Sequence, residues 1–180
     1  MIIEGSKVID YDMAMEKGVE LIRGDNPTLG LLIVCGVNFG LRISDLLGIS
    51  YDQLKSGEFV VNEKKTKKKR VIRVNKRTKV VLELMKYHNP NSRYVLGGKA
   101  FVSQKGTVYS PQHVNRMLKN VFGEGYSSHG LRKGFGRRLY EKMDKDLSIV
   151  QMQLQHMNPS DTLKYIGVTQ ENLNECFDVL

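Results

Sequence analysis

Residues 26–40 read "NPTLGLLIVCGVNFG", and this stretch decides how the chain folds. Pro27 suits the first turn of a helix, where no backbone N–H is needed, and Gly40 suits its end. The apolar residues between them recur at helical spacing and cover nearly the whole circumference. The stretch therefore predicts a central buried helix against which the other elements pack.

Amphipathic helices are predicted on both sides of this central helix. Residues 10–23 combine apolar positions with acids and lysines, and "LRISDLLGIS" at 41–50 opens a new short helix. Later in the chain the apolar spacing predicts helices over 76–87, 110–122, 128–142, about 146–156 and 160–165, with a C-terminal segment at 170–178.

The apolar period changes from helical to two in only one region. "EFVVN" at 58–62 and "RVIRV" at 70–74 are β-rich runs that flank the lysine-loaded "EKKTKKK". This pattern predicts a β-hairpin, and "AFVS" at 100–103 is a candidate further strand. The predicted fold class is therefore mainly α with a small antiparallel β-sheet (α+β), in one domain over residues 1–180.

Charge gives the first indication of function. The chain of 180 residues has a formal net charge of +9, and its basic residues gather at 62–79 and 129–138. Such an excess is typical of nucleic-acid binders, although a merely solvated lysine face is the alternative. The longest apolar run, at 29–37, is too short to span a bilayer.

Cysteine use and the N-terminus favour a cytoplasmic protein. Cys35 and Cys176 are isolated, so the sequence predicts neither a zinc site nor a disulfide framework. The first ten residues lack the basic and long apolar regions of a signal peptide.

A phosphate site is predicted in the stretch "SSHGLRKGFGRRLYEK" at 127–142. Ser127 or Ser128 suits the N-cap, which places His129 and Arg132 near the positive end of the helix dipole. Residues three apart are neighbours on a helix surface, so both side chains can reach the same anion.

Six ordered positions resemble the catalytic domain of the tyrosine recombinases, or phage integrases. They lie in "GLRISDL", on the hairpin, in "HGLR" and in "LQHMNPSDTLKYIG", and they are Arg42, a hairpin lysine, His129, Arg132, His156 and Tyr165. The tyrosine follows the second histidine by nine residues, as it does in that family. The resemblance covers nearly the whole chain and implies metal-independent cutting and rejoining of double-stranded DNA without a cofactor.

The resemblance also implies a role for each residue. Tyr165 attacks the scissile phosphate to give a 3′-phosphotyrosyl link, and the hairpin lysine protonates the departing 5′-oxygen. The family pattern favours Lys65, while Lys64 and Lys67 remain alternatives because sequence does not fix the hairpin register. Two arginines suit the non-bridging oxygens, since a guanidinium offers a bidentate fork.

Two positions depart from the family pattern, and other functions remain open. Gln155 stands where a glycine is usual, and Gly134 stands where a small hydroxyl residue is common. A type IB topoisomerase-like enzyme would share the residues, and a non-catalytic DNA-binding relative would keep only the binding. A plain helical interaction protein would show no salt-dependent affinity for DNA.

Contacts with DNA and with other protomers are also predicted. The candidate DNA-contacting residues outside the catalytic set are Lys64, Lys67, Lys68, Arg70, Lys133 and Arg137. The usual N-terminal core-binding domain of the family is not expected within residues 1–180, so binding should depend mainly on phosphate contacts. In the family, the segment corresponding to 167–180 often docks on a neighbour in a tetramer; folding back on its own domain is the alternative, and the isolated domain is expected to be a monomer.

Overall fold

A computed structural model describes residues 5–88 and 98–167 of the chain. The helices in this part are α1 (Tyr11–Arg23), α2 (Pro27–Phe39), α3 (Ile43–Leu46), α4 (Tyr51–Ser56), α5 (Lys76–His88), α6 (Pro111–Phe122), α7 (Ser128–Lys142), α8 (Leu147–Leu154) and α9 (Pro159–Ile166). Strands β1 (Glu58–Asn62) and β2 (Lys69–Arg73) complete the regular structure. None of the helices in the described ranges is long and apolar enough to cross a membrane.

Helix α2 lies at the centre of the main core, as its sequence predicts. Ten of its residues are buried, and it packs against α1, α5 and α7. The side chain of Asn26 accepts a hydrogen bond from the amide of Leu29 and so caps the start of the helix. Gly40 ends α2 in the left-handed region at φ 58°, a conformation that glycine adopts without steric cost.

The two strands form the predicted antiparallel hairpin, with Phe59 opposite Ile72 and Asn62 opposite Lys69. The mainly helical fold with a small antiparallel sheet is therefore confirmed. A strand at 100–103 is wrong: Val102 makes only an isolated bridge with Val108. The C-terminal segment predicted at 170–178 lies outside the described residues.

Helix α4 is an element that the sequence reading omitted. Its start carries a capping box, in which Ser50 accepts from the amide of Gln53 and the Gln53 side chain accepts from the amide of Ser50. The Ser-x-x-Gln spacing at 50–53 is the signal that identifies such a start.

An extended segment at 6–9 lies directly on α7 and explains the glycine at position 134. The amide of Ile9 donates to the carbonyl of Gly130 at 3.1 Å. A Cβ atom on Gly134 would lie 2.1 Å from the Ile9 carbonyl oxygen, so only glycine permits this approach. The start of α7 is capped from outside, because Asn115 of α6 accepts from the Ser128 amide at 3.0 Å; neither serine side chain does so.

Helices α8 and α9 pack on the outer side of α7 around a second, smaller apolar cluster. Its buried members are Val150, Leu154 and Ile166. Because Ile166 adjoins Tyr165, this packing fixes where the tyrosine side chain emerges. The second cluster thus links the helix of "HGLR" to the helix of the tyrosine.

Candidate active site

Tyr165 lies at the centre of the residues that the sequence analysis singled out. Its ring centroid is 4.5 Å from that of His156 and 6.1 Å from that of His129. The guanidinium carbon of Arg132 lies 5.9 Å from the same ring. Three of the other predicted catalytic residues, up to 36 positions away in the chain, therefore surround the phenol of Tyr165.

Arg132 is held rigidly at the base of this site. Its side chain is only 1% exposed, and its two terminal nitrogens donate to the carbonyls of Gly40 (2.6 Å) and Leu154 (2.5 Å). Both carbonyls lie at helix C-termini, where the helix dipole favours a cation. The ends of α2 and α8 therefore fix the orientation of this guanidinium.

Arg42 occupies the N-cap of α3 and faces a buried carboxylate. Its guanidinium lies 2.5 Å from Glu63, whose side chain has no exposed surface, while Arg42 itself remains 19% exposed. Glu63 also lies 3.7 Å from Arg70. Glu63 therefore supplies negative charge to both arginines.

The loop between the strands carries the candidate lysine. The amide of Lys64 donates to the Asp45 carboxylate at 2.9 Å, and the amide of Lys67 donates to the Glu63 carbonyl at the same distance. Lys65 is exposed between these anchors. Its positive charge contributes to the lowered pKa of His129, after burial and the charges of Arg132, Lys133 and Arg42, so it lies close enough to act on that ring.

Burial and neighbouring positive charges lower the pKa values of two residues of the site, Arg132 and His129. Burial and then the charge of Arg42 lower the pKa of Arg132. Loss of hydration and then the charges of Arg132 and Lys133 lower the pKa of His129, although part of that ring stays exposed. Burial is the larger cause of both shifts, and the neighbouring positive charges add to it; a bound anion would offset the part that comes from those charges.

His156 is neutral at pH 7 in the folded protein. Burial and the charge of Arg132 lower its pKa from 6.5 to about 4. Its Nδ1 atom lies 3.1 Å from the hydroxyl of the buried Thr162, which orients the ring. A neutral imidazole keeps one nitrogen free to accept a proton or a hydrogen bond.

We expect the free energy of unfolding to fall as the pH falls from 6.5 towards 4. The folded state binds fewer protons than the unfolded state in this window, because the pKa of His156 is lowered on folding. Thermal unfolding followed by circular dichroism from pH 7.5 to 5 measures this slope. His156→Asn should reduce this slope, and the remainder should come from His129, whose pKa is also lowered; a slope equal to that of the wild type would contradict the lowered pKa of His156.

Among three predicted DNA-contacting residues, the structure buries Arg70, whereas Lys133 is partly buried and Arg137 is exposed. Arg70 is 7% exposed and donates to the carbonyls of Phe39 and Gly40, so its assignment to a DNA-facing surface is wrong. Burial and the charge of Arg132 lower its pKa to about 10. Lys133 donates to the Ser6 carbonyl at 2.7 Å, and the exposed Arg137 pairs with Glu141.

Sequence reasoning missed the polar residues that support the site. Asp45 and Glu63 are buried acids, and the Thr66 hydroxyl lies 3.2 Å from both Glu63 and Gln155. A single acid next to a long run of lysines was the available signal for Glu63. Among the described residues, no three His, Cys, Asp or Glu side chains converge as a metal site would require.

The model of the Phage integrase family matches residues 27–172. The probable integrase/recombinase YoeC of Bacillus subtilis (strain 168) is 29% identical over 153 residues, which are 82% of each chain. Tyrosine recombinase XerC of Pseudomonas syringae pv. syringae (strain B728a) is 31% identical over 187 residues, covering 96% of this chain and 59% of XerC. The crystal structure of a lambda integrase(75-356) dimer bound to a COC′ core site superposes with a TM-score of 0.67 at 19% identity, covering 92% and 60% of the two chains.

These similarities define the fold as that of a tyrosine recombinase catalytic domain. The chain belongs to the phage integrase family. It spans about three fifths of the length of the XerC relative, so the activity of the whole relative does not transfer to it directly.

Proposed function

We propose that this chain is the catalytic domain of a site-specific DNA recombinase that cuts and rejoins DNA through Tyr165. The observation that carries the proposal is the placement of this phenol between His129, His156 and Arg132. A phenol enclosed by cationic and proton-accepting groups is what attack on a phosphodiester requires. The match to the family model over residues 27–172 supports the same reaction.

In the proposed cleavage, the Tyr165 oxygen attacks phosphorus and the bond to the 5′-oxygen breaks. One of the two neutral imidazoles, His129 or His156, accepts the tyrosine proton. Arg42 and Arg132 bind the non-bridging oxygens, where negative charge increases in the transition state. The products are a 3′-phosphotyrosyl bond and a 5′-hydroxyl, and the reverse reaction with another 5′-hydroxyl exchanges strands.

We assign the departing 5′-oxygen's proton to Lys65. An alkoxide is a poor leaving group, so its protonation lowers the barrier. The exposed ammonium beside the site supports this role, and Lys64 and Lys67 are the alternatives that substitution separates. We propose that the reaction needs no metal, because the guanidinium groups supply the positive charge that a metal ion otherwise provides.

Covalent trapping on a nicked suicide duplex tests the proposed function. After cleavage, the short 5′-hydroxyl fragment dissociates and leaves the protein attached to DNA. We expect a protease-sensitive adduct at the 3′ end, in equal yield with and without EDTA. A failure to form any adduct would contradict the proposed DNA-cleaving activity. Religation to the original strand alone would indicate a topoisomerase-like reaction.

Double-stranded DNA is the proposed substrate, and exposed lysines of the hairpin loop support it. Lys67 and Lys68 are exposed next to the candidate Lys65, and Lys64 lies on the same loop. We propose that these side chains contact phosphates, together with the exposed part of Arg137. Such contacts make the affinity depend steeply on salt.

Replacing Lys67 and Lys68 by alanine should weaken DNA binding in a salt-dependent way. Each lost phosphate contact reduces the slope of log affinity against log salt by about 0.9, so the double variant should lose roughly 1.8. Fluorescence anisotropy between about 50 and about 200 mM salt measures the slope; over this range a slope difference of roughly 1.8 changes the affinity ~10-fold. Lys86→Ala, at the far end of α5, is the control and should leave the slope unchanged.

We also propose that residues 1–180 form a single catalytic domain that is monomeric alone and assembles as a tetramer on DNA. The segment at 168–180 contains three acids, no basic residue and several apolar residues. A cavity of about 480 Å³ between α1, α5 and α7 offers Arg77, Arg138 and Lys142 beside Phe135. The negative charge of the segment is complementary to the basic residues of this cavity, which supports docking of the segment on a neighbouring protomer.

We propose a cytoplasmic location, because the buried Cys35 is a free thiol.

A further inference from the structure

We propose that Thr66 and Gln155 are positioning residues that clamp the loop of Lys65 against the turn before His156. The inference rests on the proposed function and adds a role for Gln155, which departs from the family pattern, and for its contact with Thr66. Gln155 replaces the glycine expected at its position, and Thr66 follows Lys65 directly. The two residues are 89 positions apart and meet beside the site.

The contact joins two otherwise separate parts of the site. The Thr66 hydroxyl lies 3.2 Å from the amide oxygen of Gln155 and 3.2 Å from the carboxylate of Glu63. A hydroxyl has one proton, but an amide presents a donor and an acceptor at similar positions. With its amide nitrogen turned to the hydroxyl, Gln155 donates to Thr66 while Thr66 donates to Glu63.

The backbone conformation at Gln155 does not favour a glutamine. Gln155 ends α8 at φ 50°, in the left-handed region that glycine adopts more easily. Glutamine therefore carries a backbone cost at this position. The side chain reaches the lysine loop, and a glycine would remove this one contact while the bonds to Asp45 and Glu63 remain.

Lys65 is consequently bracketed by two anchored neighbours. On one side, the Lys64 amide donates to Asp45, and on the other side Thr66 contacts Glu63 and Gln155. A long, exposed lysine side chain has many rotamers, so a fixed backbone on both sides limits where its ammonium lies. The clamp therefore places the proton donor relative to His156 and Tyr165.

Cleavage rates on two leaving groups test this inference. Gln155→Gly and Thr66→Val should cleave an ordinary nicked duplex roughly 2- to 12-fold more slowly, the range of one hydrogen bond. On a duplex whose scissile 5′-oxygen is replaced by sulfur, the P–S bond breaks and a thiolate leaves without needing a proton. There, both variants should come within about twofold of the wild type.

Controls separate positioning from loss of structure. Gln155→Gly should keep or raise Tm, because glycine adopts the left-handed backbone conformation more easily. Thr66→Ser keeps the hydroxyl and should therefore cleave at the wild-type rate, unlike Thr66→Val. Lys65→Ala should show a larger defect that sulfur also rescues, and the exposed Gln153→Ala should match the wild type on both duplexes.

Each remaining outcome is decisive. Wild-type rates in Gln155→Gly and Thr66→Val on the oxygen substrate would overturn the clamp, as would a defect that persists with sulfur. A wild-type chain that forms no adduct on either substrate would instead overturn the proposed function and the inference with it.

Discussion

Tyr165→Phe is expected to abolish covalent attachment to DNA while leaving DNA binding intact. The change removes the oxygen that attacks phosphorus but keeps the ring that packs between His156 and His129. Because the ring contacts survive, the free energy of unfolding should change by no more than about 1 kcal/mol. Denaturing gels with a nicked duplex measure the adduct, and anisotropy measures the affinity.

The matched control for this variant is Tyr140→Phe. Tyr140 packs against the same second apolar cluster as Tyr165 but lies on α7. It should form the adduct at close to the wild-type rate. An adduct that survives in Tyr165→Phe would place the nucleophile elsewhere, whereas equal loss in both variants would indicate a folding defect.

Arg132→Lys should lower the cleavage rate by roughly 10²- to 10³-fold, the effect of removing one charged donor from a transition state. An ammonium keeps the charge, but it cannot bind the carbonyls of Gly40 and Leu154 and still offer a fork to phosphate. The lost carbonyl contact should also cost about 1–3 kcal/mol of stability, because it leaves a buried polar group unsatisfied.

Arg138→Lys on the same helix is the control for Arg132→Lys. Arg138 is partly exposed and pairs with Asp12 at 3.5 Å, away from the phenol. Its replacement should change the cleavage rate less than twofold, in keeping with the small contribution of exposed ion pairs, typically ~0–1 kcal/mol. A rate equal to the wild type in Arg132→Lys would remove this guanidinium from the proposed mechanism.

Helices with caps and a clear apolar stripe could be predicted from the sequence. The apolar spacing predicted a helix at 128–142, and the structure has it at Ser128–Lys142. The order of the six predicted catalytic residues could also be read, because each belongs to a short local pattern. The placement of His129, Arg132 and His156 around the phenol of Tyr165 depends on tertiary packing through α2 and α8.

The buried charges could not be predicted as easily, because charge normally indicates exposure. Arg70 illustrates this: its charge favoured a DNA-facing surface, but it lies on the inward face of β2, in step with Ile72. The period of two was the available signal, and carbonyls at the end of α2 stabilise the buried guanidinium. The burial of Glu63 was not predicted, because an acid next to a run of lysines is normally exposed to solvent.

Gln155 shows a departure from a family pattern that gains meaning only from the structure. The sequence could register that glycine was replaced, but not that the side chain reaches Thr66. Contacts between residues 89 positions apart depend on the packing of α8 against α7 and on the hairpin register, which local patterns do not encode.

The amino acid that becomes bonded to DNA can be identified by mass spectrometry. The wild-type chain is trapped on a nicked duplex and digested with nuclease and trypsin, and its peptides are sequenced by mass spectrometry. Trypsin cuts after Lys164, and the peptide from residue 165 onwards contains Tyr165 as its single tyrosine. We expect a nucleotide attached to Tyr165 through a phosphotyrosyl bond. A nucleotide attached to any other residue, or no attached nucleotide, would contradict the proposed role of Tyr165.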